Sequence, residues 1–111
     1  MRNFQASAVE RRITIEKDFA SQPMEAGWAS EAIFFIWVEE MEGGDTMLQA
    51  SVQISPDGIN WIDEGSCSPG IRQPGYYFVR ASQFGNWLRL NGIVTGTNAR
   101  VKLSIHLHLK E

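Results

Sequence analysis

The feature that most constrains the fold is a strict alternation of apolar and polar residues between Leu48 and Ile54. Leu48, Ala50, Val52 and Ile54 are apolar, and the residues between them are polar. A helix advances about 100° per residue and would scatter these apolar side chains around its axis, whereas a strand places all of them on one face. The segment therefore predicts a strand with one buried face and one solvated face.

A turn follows this strand directly. The segment Ser55-Pro56-Asp57-Gly58 combines a proline, whose φ is already fixed for a turn, with an Asp-Gly pair that tolerates positive φ. Ile59 to Glu64 is predicted to return as the second strand, with Trp61 assigned to the core. The sequence thus predicts a β-hairpin over Met47 to Gly65.

This hairpin resembles a motif of a known family. Residues 52–61, VQISPDGINW, are similar to the Ser-x-Asp-Gly-x-x-Trp hairpin of discoidin-like (coagulation factor 5/8 C-type) jelly rolls. They are also similar to hairpins in small β-sandwich modules of phage tail and capsid proteins. The resemblance implies a jelly-roll fold. Because this hairpin is scaffold in discoidin-like modules, where other loops hold the ligand, the resemblance assigns no functional residue.

The same two-residue period predicts most of the other strands. They are Phe4 to Val9, Arg12 to Phe19, Glu31 to Met41, Tyr76 to Ala81, Trp87 to Val94 and Arg100 to Lys110. In the last of them the inward side chains are predicted to be Val101, Leu103, Ile105, Leu107 and Leu109.

Segments rich in Gly, Pro, Asn and Asp separate these strands. Gly43-Gly44-Asp45 and Thr95-Gly96-Thr97-Asn98 are predicted to be tight turns, and Ala20 to Ala29 a loop. Connections this short suit antiparallel pairs, because parallel pairs need long crossovers. We therefore predict one all-β domain over residues 1–111, a jelly-roll-like antiparallel β-sandwich of seven to eight strands.

Composition excludes several classes of partner. The net charge of −3, with no basic block longer than Arg11-Arg12, argues against nucleic acid. The longest apolar run, Ala32 to Val38, is too short to span a bilayer, so no membrane is expected. The first residues show no charged-then-apolar signal peptide, which predicts a cytoplasmic or virion-associated protein. The single cysteine, Cys67, cannot form an intrachain disulfide and fits a reducing compartment.

No arrangement of residues indicates catalysis. A nucleophilic Cys67 would need a base within hydrogen-bond reach, and no motif supplies one. Asp63 and Glu64 are adjacent in a predicted strand, so their carboxylates point to opposite faces and cannot act as a pair. The glycine pairs occur in turns and do not form a phosphate-binding loop. We expect no enzymatic activity and no cofactor.

Two groups of residues could hold a metal ion. His106 and His108 project from the same face of one strand, but no motif provides a third ligand, which favours two surface histidines. The acidic segment from Glu39 to Asp45 offers oxygen ligands without the EF-hand spacing, which favours a solvated turn. We expect no metal site at either place.

The stretch Ala32 to Val38 is apolar on both faces, which is unusual for a strand with one solvated side. Ile33, Phe35 and Trp37 share its second face, and Trp87 is predicted to point outward from its own strand. These four residues form the predicted contact surface, because exposed apolar patches usually mark interfaces.

Aliphatic side chains beside an aromatic ring suit a protein partner better than a saccharide. The sequence therefore predicts a non-catalytic structural protein, concretely a phage-derived tail or capsid accessory module that forms homo-oligomers or joins a larger assembly. The alternative is a carbohydrate- or ligand-binding module of the jelly-roll type, which uses exposed aromatic rings as a platform.

Overall fold

The computed structural model describes residues 3–111, and within them the chain is all-β and antiparallel. The seven strands are β1 (Phe4–Ile15), β2 (Phe19–Ala20), β3 (Met24–Glu25), β4 (Glu31–Ser55), β5 (Ile62–Cys67), β6 (Gly75–Ser82) and β7 (Trp87–Lys110). No helix in the described range is long and apolar enough to cross a membrane. The predicted fold class is confirmed. Met1 and Arg2, which belong to the segment predicted to lack a signal peptide, lie outside the described residues.

Strands β4 and β7 form a long two-stranded ribbon around which the rest is built. They pair along almost their whole length, from Glu31 opposite Lys110 to Ser55 opposite Trp87. At about 3.3 Å per residue a straight strand of this length would span about 80 Å. The molecule measures 46 × 27 × 20 Å, so the ribbon must bend back on itself.

The bend divides the sheet into two halves. In the front sheet, Glu31–Val38 of β4 lies between β6 and the C-terminal half of β7, and β1 pairs with the other side of β7. In the back sheet, Met47–Ser55 of β4 lies between β5 and the N-terminal half of β7, which also pairs with β2 and β3. The inward side chains of both sheets form one hydrophobic core, as in a β-sandwich.

Two predicted turns are wrong, because the chain does not reverse at either place. Gly43 and Gly96 lie inside β4 and β7, at register shifts where the ribbon bends. Both have positive φ, 107° and 123°. A Cβ on Gly43 would lie 2.6 Å from the carbonyl oxygens of Thr97 and Asn98, so the two backbones approach closely here. Glycine-rich segments therefore mark paired bulges in the ribbon, which increase twist and curvature without ending a strand.

The predicted hairpin is confirmed, with different bounds. Strand β5 pairs antiparallel with β4 and begins at Ile62, three residues later than predicted. The loop between them is organised by Asp57, which accepts hydrogen bonds from the backbone N–H groups of Ile59 and Asn60 at 2.8 and 2.9 Å. Trp61 is not a core residue, because it is half-exposed beneath the Arg89 guanidinium.

The first two predicted strands are a single one. Strand β1 continues from Phe4 to Ile15 through register shifts between Ala8 and Ile13, so the expected break is a bulge. Two short strands attach the following segment to β7: β2, which joins the end of the predicted strand Arg12 to Phe19 to the start of the predicted loop 20–29, and β3, which lies within that loop.

The alternation predicted the core well. All five inward residues of the last strand are buried, as are Leu48, Ala50 and Val52 of the hairpin. Large, fully buried side chains come from both halves of the ribbon and, in the case of Ile71, from the segment between β5 and β6: Phe34, Ile36, Leu48, Ile71, Leu88, Leu90, Leu103, Ile105, Leu107 and Leu109.

Candidate interaction surface

The predicted two-sided apolar strand is the centre of the front sheet. Its even-numbered residues, Ala32 to Val38, are buried in the core. Ile33, Phe35 and Trp37 point to the opposite, outer face, as the alternation predicted. Phe35 and Trp37 remain 37% and 38% exposed, so the described chain covers them only in part.

Strand pairing adds further aromatic residues to this outer face. Phe78 and Tyr76 of β6 lie opposite Phe35 and Trp37 of β4. At the other lateral edge of the front sheet, Phe4 of β1 pairs with Lys110 of β7. Tyr76, Phe4 and Phe78 are 75%, 57% and 51% exposed. We call the set Phe4, Ile33, Phe35, Trp37, Tyr76 and Phe78 the aromatic face.

The rings of the aromatic face are held in place by one another. Trp37 and Tyr76 are stacked, with ring centroids 5.6 Å apart and planes 9° apart. His108 makes edge-to-face contacts with Phe35 at 4.8 Å and with Phe4 at 5.6 Å. The Arg80 guanidinium lies 5.0 Å from the centre of the Phe78 ring. Such contacts order the rings in the free molecule, which reduces the entropy lost on binding.

One end of the aromatic face carries a charged cluster. The Glu39 side chain is only 10% exposed, and its two oxygens lie 3.3 Å from Arg12 Nε and 3.6 Å from Lys102 Nζ. Glu39 Oε1 accepts no hydrogen bond among residues 3–111, so its pairing with Arg12 is ionic. Arg12 occupies the β1 bulge with a positive φ of 47° and donates its N–H to Ser104 Oγ. The bulge therefore aims a cation at a mostly buried carboxylate.

The other end of the face contains a shallow depression of about 660 Å³. Phe4, Ile33 and Phe35 give it an apolar floor. Two alanines, Ala32 and Ala81, also line it. The other lining residues are polar or charged: Glu31, Glu64, Ser66, Arg80, Ser82, His108 and Lys110. The depression is partly open to solvent, so a ligand there would stay partly in contact with water.

The structure brings three of the four predicted contact residues together and separates the fourth. Trp87 belongs to the back sheet, where it pairs with Ser55 and Glu25 and is partly buried beside Gly58. Phe4, Tyr76 and Phe78 were not among the predicted residues. The alternation in residues 76–81 did place Tyr76 and Phe78 on one face, but nothing in the sequence showed that β6 lies beside β4.

The other candidate residues remain scattered. His106 is exposed, and His108 lies between two phenylalanine rings. In residues 3–111 no three His, Cys, Asp or Glu side chains are grouped so as to hold a metal ion. Cys67 is an exposed free thiol at the end of β5. Among the described residues, no hydrogen bond joins Cys67 to either histidine.

Comparison with known proteins gives information on the fold. No protein-family model matches the chain, and no curated protein matches it by sequence. Among solved structures, the SPBc2 prophage-derived protein YomS is similar over 100% of this chain and 96% of its own, with 7% identity and a TM-score of 0.58. A chain from infectious bursal disease virus, Gx strain, is similar over 98% of this chain and 32% of its own, with 11% identity and a TM-score of 0.59. At these identities the likeness shows that the jelly-roll-like β fold is shared, and nothing more.

Proposed function

We propose that this chain is a non-catalytic structural protein that assembles with further copies of itself through the aromatic face, as a virion-associated accessory component of a phage-type particle. The observation that carries the proposal is the exposure of five aromatic rings on one outer sheet surface. Contiguous apolar patches on a soluble protein mark contact surfaces, and aromatic residues are enriched at their energetic centres.

The contrast between the two outer surfaces supports this assignment. The outer side of the back sheet is more polar: it carries Gln49, Gln53, Arg89 and Asn91 beside Ile93, which is 44% exposed, and the partly buried Trp87. Gln53 there bonds both Arg89 and Asp63, so its polar groups are already paired within the chain. Among residues 3–111, the front sheet alone presents exposed aromatic rings along adjacent strands. A sheet with a second apolar face needs a second layer, and face-to-face packing about 10 Å apart would supply one.

The fold likeness supports the phage-type context. The prophage-derived neighbour matches this chain along nearly its whole length. Its identity of 7% carries over the fold alone, and the role as a particle component is our inference from fold and surface together.

Light scattering combined with size-exclusion chromatography tests the proposal. We expect a species larger than the 12.5 kDa monomer at micromolar concentration. Phe35→Lys and Trp37→Lys should lower its mass, because a buried charge without a partner opposes association. Ile59→Lys is the matched control, since Ile59 is 79% exposed on the hairpin loop, away from the face. A monomeric wild type, or equal effects of all three substitutions, would contradict self-association through this face.

A second candidate function, ligand or carbohydrate binding, is favoured by the depression. Aromatic rings from Phe4 and Phe35 lie there beside carboxylate, guanidinium and imidazole groups, a combination that suits sugar rings and their hydroxyl groups. Binding on a glycan array that is lost on Phe4→Ala and retained on Ile59→Ala would support this function over assembly. An array without signal would remove it.

A further inference from the structure

The sheet edges differ sharply in how well they are protected against pairing with another chain. Exposed edges normally carry bulges, charges, prolines or very short strands that prevent such pairing. Strand β1 has register shifts between Ala8 and Ile13. Strand β5 is six residues long, has Gly65 at a φ of 113° and includes Asp63 and Glu64. Strands β2 and β3 have two residues each.

Strand β6 has one of these protective features, the charge of Arg80, and lacks the others. Its eight residues, Gly75 to Ser82, pair with β4 without a register shift and contain no proline, lysine or carboxylate. Within the described chain β6 pairs only with β4, and β5, which comes close to β6 near Arg80 and Ser82, forms no ladder with its other edge. A regular, mostly uncharged edge of this length is a template for another strand.

The ladder shows which backbone groups face that open edge. The Gln83 N–H donates to Ser30 O, at 3.4 Å, on the β4 side of the strand. Because backbone groups alternate in direction along a strand, the N–H and C=O groups of Tyr76, Phe78, Arg80 and Ser82 point the other way. The same residues carry the outward side chains of β6. The open edge thus combines unpaired backbone groups with two exposed aromatic rings and a cation.

We propose that β6 of one copy pairs antiparallel with β6 of a second copy about a two-fold axis perpendicular to the front sheet. This pairing would be a second contact in the proposed self-association. It rests on that proposal for the identity of the partner, a second copy of the chain. It would join the two front sheets into one continuous sheet and place their aromatic faces side by side. The extended aromatic surface would then be available for the face-to-face contact.

The sequence of β6 is complementary to itself in this arrangement. Registers centred on Phe78 or on Val79 each leave only one residue of the strand unpaired. In the first register Arg80 of one copy lies opposite Tyr76 of the other, and in the second it lies opposite Phe78. Either pair brings a guanidinium to an aromatic ring, which is favourable. A register centred on Arg80 would oppose two guanidinium groups and is disfavoured.

Disulfide trapping tests the pairing, in a Cys67→Ser background that removes the native thiol. Residues opposite each other in a hydrogen-bonded antiparallel pair have Cα atoms about 5.5 Å apart, within disulfide range. Phe78→Cys should therefore crosslink two copies in the first register, and Phe78→Cys with Arg80→Cys in the second. We expect nearly complete crosslinking at micromolar protein under mild oxidation. The control Ile59→Cys should give only traces, although Ile59 is more exposed than Phe78.

Two substitutions separate this edge contact from the face contact. Arg80→Pro removes an outward N–H without breaking the ladder to β4, whereas Arg80→Ala keeps it. We expect Phe35→Lys to reduce a larger assembly to a dimer, and Phe35→Lys with Arg80→Pro to give monomers of unchanged circular dichroism. If Phe35→Lys alone gives monomers and no cysteine variant crosslinks, the edge pairing is overturned and the face contact stands. If Phe35→Lys leaves the mass unchanged while position 78 crosslinks, the edge pairing stands and the face contact falls. A monomeric wild type without crosslinks overturns both.

Discussion

The rings of Trp37 and Tyr76 lie nearly parallel, with centroids 5.6 Å apart, although the two residues belong to strands far apart in the sequence. The register of β4 with β6 places them directly opposite each other. Neither strand alone presents an aromatic surface wide enough to be a binding site. The aromatic face exists because strand pairing sets two alternating sequences side by side with the same phase.

We expect Tyr76→Ala to expose Trp37 without unfolding the protein. Removing a stacked partner costs about 1 kcal/mol beyond the lost burial, and Tyr76 itself is mostly exposed. Trp37 emission should shift to longer wavelength, measured as the difference from the same substitution in a Trp37→Phe background. Tyr77→Phe is the control, because Tyr77 donates its hydroxyl to Gln73 O and makes no ring contact with Trp37 in the structure. An unchanged Trp37 emission would show that the stacking does not persist in solution.

Local alternation was sufficient to predict which side chains are buried, and insufficient to predict which strands are neighbours. The buried residues from Val101 to Leu109 needed only the two-residue period, because that period fixes the face of each side chain. The aromatic face required the neighbours β1 and β6, which are set by contacts between distant segments. Trp87 illustrates the difference: it points outward as predicted, but from the other sheet.

The bend in the ribbon should be sensitive to substitution at Gly43. In Gly43→Ala a methyl group would meet two carbonyl oxygens at 2.6 Å and a backbone φ of 107°, so we expect a loss of about 3 kcal/mol or more. Two other glycines separate the causes. Gly65 has a φ of 113° but open space around its Cβ position, so Gly65→Ala should cost about 1 kcal/mol.

Gly44→Ala should be close to neutral, because its Cβ would make an ordinary contact at 3.7 Å with Thr97 and its φ lies outside the positive range. Urea unfolding of the three variants measures the free energies. If Gly43→Ala and Gly44→Ala were equally stable, this result would contradict the close approach of the β4 and β7 backbones at the bend.

The charged cluster predicts unequal effects of its members. Arg12→Ala should destabilise the fold by about 1 to 2 kcal/mol, because it removes one cation from the mostly buried Glu39 carboxylate. Glu39→Gln should cost less, since an amide does not need a compensating charge there. In the double variant the loss from Arg12→Ala should shrink, as a double-mutant cycle of chemical unfolding would show. Additive effects would mean that the 3.3 Å ion pair contributes nothing.

Asp57 in the hairpin loop should make the free energy of unfolding depend on pH. Hydrogen bonds from the backbone N–H groups of Asn60 and Ile59, and from the side chains of Asn60 and Ser55, lower the pKa of the Asp57 carboxyl well below its usual value. A group with a lowered pKa in the folded state stabilises the fold when the pH is above its pKa in the unfolded chain, about 3.9. That contribution is lost as the pH falls further, toward the folded-state pKa.

Asp57→Asn isolates this effect, because the amide keeps an oxygen acceptor and cannot ionise. We expect the wild type to be the more stable protein at about pH 7, and the difference to stay constant down to about pH 5. Below about pH 4 the difference should shrink, since the unfolded wild-type chain then binds a proton that the folded protein does not. Thermal unfolding of both proteins across this range gives the comparison. A difference that stays the same at every pH would show that the loop does not recognise the charge, and that Asp57 acts only as a neutral acceptor for the turn.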